Sequence, residues 1–218
     1  MIHLKHNKID LALHELRPGS GRALLLLHGL GERSPREVPR ALESWPGPVV
    51  ALDFTGHGAS TIPVGGGYSV ELLSADADAA LRYLGEATVL GRGLGAYVAL
   101  QLVGGRPRQV KGAILCDGPG LAGGGHGPTS PYVAHVDSHR MGPPDPFALA
   151  ELSRDLRPRE YGTFFARLAK DQSGLDTPLW VCASEGAEWL LAISSEPGVQ
   201  RATVAEALRA CADLSVGA

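Results

Sequence analysis

The chain has 218 residues, 44% of them hydrophobic and 20% charged, with a formal charge of −3. This is enough length for a well-filled core, and the charge balance excludes a broad polybasic surface for nucleic acid or an anionic membrane. No cationic–apolar leader pattern and no apolar run of membrane-spanning length stand out, so a soluble, cytoplasmic protein is expected.

In chain order, "HLKHNKIDLALHELRPGSG" partly alternates and predicts a hairpin or two short strands. "RALLLLHGLGE" is a continuous apolar run ending at glycine, as expected of a strand covered on both faces. "SPREVPRALESW" predicts a helix, with Pro35 in its first turn. "PVVALDFTGHGAS" is a buried strand with a glycine-rich exit, and "YSVELLSADADAALRYLG" a helix capped by Ser69. "TVLGRGLGAYVALQLV" reads as strand, turn and helix, and "VKGAILCDGPG" as another buried strand. This alternation predicts an α/β fold, a mostly parallel sheet with helices on both faces.

Regularity stops between Gly118 and Asp145, a stretch rich in glycine and proline that predicts a long loop. Two helices ("PFALAELSRDL", "REYGTFFARLAKDQ"), a strand ("TPLWVCAS"), a helix ("AEWLLAISS"), a short strand ("GVQRAT") and a closing helix ("VAEALRACADL") follow. The expected organisation is a single domain, 1–218, with 118–176 as a cap or insertion. Cys116, Cys182 and Cys211 are widely spaced and read as buried free thiols.

Three glycine turns carry the functional argument: "LLLLHGLGE", "ALDFTGHGAS" and "VLGRGLGAYVAL". In this order they resemble the α/β-hydrolase family over about residues 10 to 200. The resemblance implies an oxyanion turn at His28, Gly29 and Leu30, a bracing aspartate at Asp53, and a nucleophile elbow at Gly91–Gly95. The oxyanion donors would be the amides of Leu30 and Leu94. It also implies a nucleophile where Gly93 stands, and Gly93 has no side chain to attack with. The family's histidine follows the last strand, yet the last histidine here is His139, and the 79 residues after it hold none. The acid would be Glu185, or Asp117 one strand earlier. Arg92 is either an anion ligand in the pocket or a salt-bridged residue.

The remaining candidate bases are His57 and the loop histidines His126, His135 and His139. His135, Asp137 and His139 form H-x-D-x-H, which would converge on a metal only on a strand; no metal and no cofactor is assigned. "GRGLGA" also partly imitates a dinucleotide turn, with Asp117 lying 22 residues beyond Gly95. The leading expectation is a non-hydrolytic protein binding a small apolar or anionic molecule, a protein partner or a second copy of itself. A serine-independent lyase or isomerase using His28, His57 or a loop histidine is the alternative, together with weak ester hydrolysis by water held at the Leu30 and Leu94 amides.

Overall fold

The structure, a computed structural model, describes residues 1–121, 142–155, 157–183 and 187–214. Eight strands form one sheet in the order β1-β2-β4-β3-β5-β6-β7-β8. They are β1 (Ile2–His6), β2 (Ile9–Arg17), β3 (Ala23–Leu27), β4 (Val49–Leu52), β5 (Ala87–Arg92), β6 (Val110–Cys116), β7 (Leu179–Cys182) and β8 (Val199–Arg201). β2 runs antiparallel to both its neighbours, and β3 to β8 run parallel to one another. The first two strands form the expected hairpin, with Asn7 in the left-handed region (φ 55°) at the turn.

All five residues of β3, "ALLLL", are buried, because helices cover both faces of the sheet. Leu25 and Leu27 point into the larger core cluster, with α1 (Val70–Leu84), α2 (Leu94–Gly105) and the later helices α3 (Pro146–Leu152), α4 (Arg159–Ser173) and α5 (Glu188–Ile193). Leu24 and Leu26 point the other way, into a smaller cluster with α6 (Val204–Asp213). α1 starts where its cap predicts: the Ser69 hydroxyl accepts the Leu72 amide, and Leu73, Ala77, Ala80 and Leu81 form its buried stripe. α6 opens on a reciprocal pair in which Thr203 and Glu206 satisfy each other's backbone amides.

The helix expected over "SPREVPRALESW" is absent; only a 3-10 turn at Arg40–Leu42 forms there. Pro39 is the cause. It lacks an N–H, it disfavours the helical region for Val38, and its own ψ of 138° is extended. Between β6 and β7, α3 is anchored to the loop before α1. Asp145 caps α3 and receives the Tyr68 hydroxyl at 2.5 Å, and Glu151 accepts the Gly67 and Tyr68 amides. Among the described residues, no helix is long and apolar enough to cross a membrane.

Candidate functional site

The site is built on the sharp turn between β5 and α2. Gly93 sits there at φ 51°, ψ −114°, a conformation that strains any residue bearing a Cβ. Its neighbours are glycine for a steric reason. A Cβ at Gly91 would lie 2.2 Å from the Gly95 carbonyl oxygen, and one at Gly95 would lie 2.4 Å from that of Leu27. The elbow backbone is therefore intact although its central side chain is missing.

The space a nucleophile needs is filled. A Cβ at Gly93 would sit 2.3 Å from the Pro119 oxygen and 2.4 Å from the Gly118 carbonyl carbon. The two amides expected to cradle an oxyanion, Leu30 N–H and Leu94 N–H, both donate to the Pro119 carbonyl at 2.9 Å. One carbonyl thus meets both of the amides that the family resemblance assigns as oxyanion donors. The Pro119 ring packs on Gly29, where a Cβ would come within 2.7 Å of it, and Gly120 leans on Leu30 and Leu94. Gly93 N–H donates to the Cys116 carbonyl at 3.1 Å, which fixes the root of this plug. The plug is not predicted from sequence, where "DGPG" closes a strand and opens the glycine- and proline-rich stretch. The one available hint is a proline between two glycines leaving the strand next to the elbow.

Both histidines near the elbow are locked. His28 Nδ1–H donates to the Gly29 carbonyl at 2.7 Å, while Nε2 accepts the Phe54 amide at 3.2 Å. His57 Nδ1–H donates to the Thr55 carbonyl at 3.1 Å, and Nε2 accepts the Gly31 amide at 3.2 Å. A carbonyl only accepts and an amide only donates, so each ring is the neutral Nδ1–H tautomer. Burial pushes the His28 imidazole below its usual range. Burial, then the nearby His28 ring, pushes His57 down to about 4 from the ordinary 6.5. Between those pH values the unfolded chain binds a proton at His57 that the folded chain refuses. Stability is therefore full above pH 6.5 and falls as the pH drops toward 4, by about 3 kcal/mol from this one group. Urea unfolding at pH 7 and pH 4.5 is expected to show that loss, and a folded His57→Gln variant to lose much less.

Asp53 braces the turns, as expected. It accepts the Ser34 amide at 2.7 Å, the Ala59 amide at 2.8 Å and His14 Nε2 at 2.9 Å. Burial alone would raise its pKa; these donors outweigh burial and hold it below the usual carboxylate range. Arg92 is salt-bridged: its guanidinium forms a two-point pair with Glu32, at 2.9 and 3.2 Å. Glu32, absent from the sequence candidates, also accepts the Gly29 amide at 2.9 Å and so pins the oxyanion turn. Half-buried Asp117 lies near Arg92 and adds to the field that favours its charge, after Glu32. His126, His135, Asp137, His139 and Glu185 fall outside the described residues. The position after β8 holds Ala202 and Thr203, so no histidine follows the last strand directly.

Among the described residues, a cavity opens beside the elbow, at the C-terminal ends of β3 and β5. A hollow of about 390 Å³ opens on the α6 face, lined by Leu26, Leu42, Ala51, Leu90, His28 and Pro39, with Arg33, Glu32 and Arg92 also on its wall. It lies where the proline-interrupted segment leaves β3, β4 and β5 without the covering helix. Cys211 is buried as expected, but Cys116 and Cys182 are only half-buried, because they are the last residues of their strands, at the C-terminal ends of the sheet.

A parallel sheet with an antiparallel second strand, a glycine elbow after β5 and facing amides after β3 define an α/β-hydrolase fold. Residues 24–216 match the model of the alpha/beta hydrolase family, and the chain belongs to that family. The chain is similar to the epoxide hydrolase VrEH1 from Vigna radiata, with 28% identity and a TM-score of 0.47 over 54% of this chain, and it spans 39% of that protein's length. It is also similar to a bacterial membrane phospholipase A described as a virulence factor, with 16% identity and a TM-score of 0.58 over 100% of this chain and 86% of the other. Est1E from Butyrivibrio proteoclasticus, solved with ferulic acid bound, matches at 12% identity and a TM-score of 0.57 over 99% and 98% of the two chains. The last two likenesses show the fold.

Proposed function

We propose that this protein is a non-hydrolytic member of its family that binds a small, largely apolar molecule carrying an anionic group. The observation that carries this reading is the Pro119 carbonyl, hydrogen-bonded at once to Leu30 and Leu94 above a residue that has no nucleophile. Acyl transfer needs an attacking group, a base and free oxyanion donors. Gly93 supplies no attacking group, the donors are engaged, and both ring nitrogens of His28 and of His57 are held by backbone. The same engagement argues against a lyase or isomerase using either histidine, since neither ring has a nitrogen left for a substrate proton.

The hollow on the α6 face supports the binding half of the reading. Its volume of about 390 Å³ falls within the range of small-molecule sites, about 300–1,000 Å³. Leu26, Leu42, Ala51 and Leu90 would hold an apolar body. Arg33 is exposed, makes no ion pair among the described residues, and would meet a carboxylate or similar anion. Titration with decanoate, followed by native mass spectrometry and calorimetry, is expected to show one molecule per chain. Leu90→Trp fills the hollow and Arg33→Gln removes the anion partner, so each should weaken binding by about tenfold or more, near 1.4 kcal/mol. Absence of stoichiometric binding to decanoate and to bulkier apolar acids would sink the proposal, as would unchanged binding by a folded Leu90→Trp variant.

A further inference from the structure

β6 and β7 run side by side and end together, and the last residue of each is a cysteine. Their register places Cys116 directly opposite Cys182. Paired residues on adjacent strands project to the same face, and the strand spacing of about 4.8 Å sets their Cα separation. That lies inside the range of about 4.4–6.8 Å that a disulfide spans. Both cysteines pack against the smaller core cluster, and both remain partly open to solvent. The two thiols lie close enough to perturb each other, and Cys116 is the more deeply enclosed.

We propose that Cys116 and Cys182 are a redox-active dithiol, converted to an intramolecular disulfide by exchange with a low-molecular-weight disulfide. The two thiols differ in kind. The Cys116 thiol beside it favours the Cys182 thiolate, whereas the Cys182 thiol and burial push the Cys116 pKa up. Cys182, the less enclosed of the two, is the sulfur an incoming small disulfide reaches first, and it is the attacking one. Its thiolate attacks one sulfur of the small disulfide, the S–S bond breaks, and the first small thiolate leaves and takes up the proton that Cys182 gave to solvent. Cys116 then loses its proton and attacks the Cys182 sulfur of the mixed disulfide, expelling the second small thiolate, which takes up that proton. Two cysteines are oxidised, one small disulfide is reduced to two thiols, and no other reactant is needed.

Two contrasts favour this over simple packing or metal binding. Cys211, a packing thiol, is completely buried, and burial pushes its pKa up to about 12. A thiolate metal site needs further ligands, and among the described residues no group of three or more ligating side chains gathers. The position also matters to the closed elbow. The Cys116 carbonyl holds the Gly93 amide, and the plug begins two residues later, so a disulfide would fasten the plug's root to β7.

The test exposes the full, folded chain to excess glutathione disulfide, blocks free thiols, and maps the unreduced digest by mass spectrometry. The expected result is a peptide joining Cys116 to Cys182, with Cys211 alkylated only after unfolding. Three free thiols after that treatment, or a dominant link through Cys211, would overturn the proposal. In a Cys116→Ser variant the exchange should stop at a mixed disulfide on Cys182; a folded variant that takes up no adduct would overturn it too.

Discussion

Placing a serine at the elbow, Gly93→Ser, should give no esterase activity and should destabilise the fold by about 4 kcal/mol. The added Cβ would lie 2.3 Å from the Pro119 oxygen and 2.4 Å from the Gly118 carbon, both backbone atoms that cannot swing aside as a side chain end would. The φ of 51° with ψ −114° adds strain that glycine avoids. Relief requires moving the Gly118–Gly120 plug, which breaks the two 2.9 Å hydrogen bonds from Leu30 and Leu94. Even then the hydroxyl would face no imidazole with a free nitrogen among the described residues. Gly93→Ala separates the contributions: urea unfolding should show nearly the same loss, because the Cβ and not the hydroxyl causes it. A Gly93→Ser protein as stable as wild type would mean that the plug yields easily.

Asp53→Ala should cost about 4 kcal/mol, the range for removing one partner from a buried charged network. One carboxylate joins three segments: Ser34 beyond the oxyanion turn, Ala59 in the "TGHGAS" turn and His14 on β2. Alanine leaves the buried Ser34 amide and the part-buried Ala59 amide without this acceptor, and Gly58, whose own Cβ position would fall 2.0 Å from the Asp53 Oδ2, shows how closely the turn is moulded to it. Its pH signature is distinct. The folded pKa lies below the unfolded value near 3.9, so this stabilisation is present above that value and is lost as the pH falls through the lower, folded one. The His57 contribution is lost earlier, between 6.5 and about 4. Unfolding free energies measured from pH 7 to pH 3 should show the two losses in that order, and Asp53→Ala should lack the lower one.

Much of the fold was legible because it rests on local signals. The buried run of β3, the Ser69 cap of α1 and the glycines of the elbow each state their requirement within a few residues. The segment after β3 misled because "REVPRALESW" has helical composition, while a single missing N–H at Pro39 decides its conformation. The site was legible only in its backbone. Glu32 lies 60 residues from Arg92, and nothing local marks it as that arginine's partner. The plug is harder still, since its active group is a main-chain carbonyl that every residue possesses; only the packing of Pro119 against Gly29 and Gly93 gives it a role. Gly93, which the resemblance puts at a nucleophile's position, is in the structure a position where any side chain collides.

The central claim is that this elbow is closed to acyl transfer. Hydrolysis of a panel of short- and medium-chain p-nitrophenyl esters by the purified wild-type protein tests it most directly. The predicted rate equals that of the same chain unfolded in urea, within error, at any pH from 5 to 9. Saturable turnover with kcat/KM above about 10⁴ M⁻¹ s⁻¹, abolished by stoichiometric fluorophosphonate labelling of a serine, would contradict it.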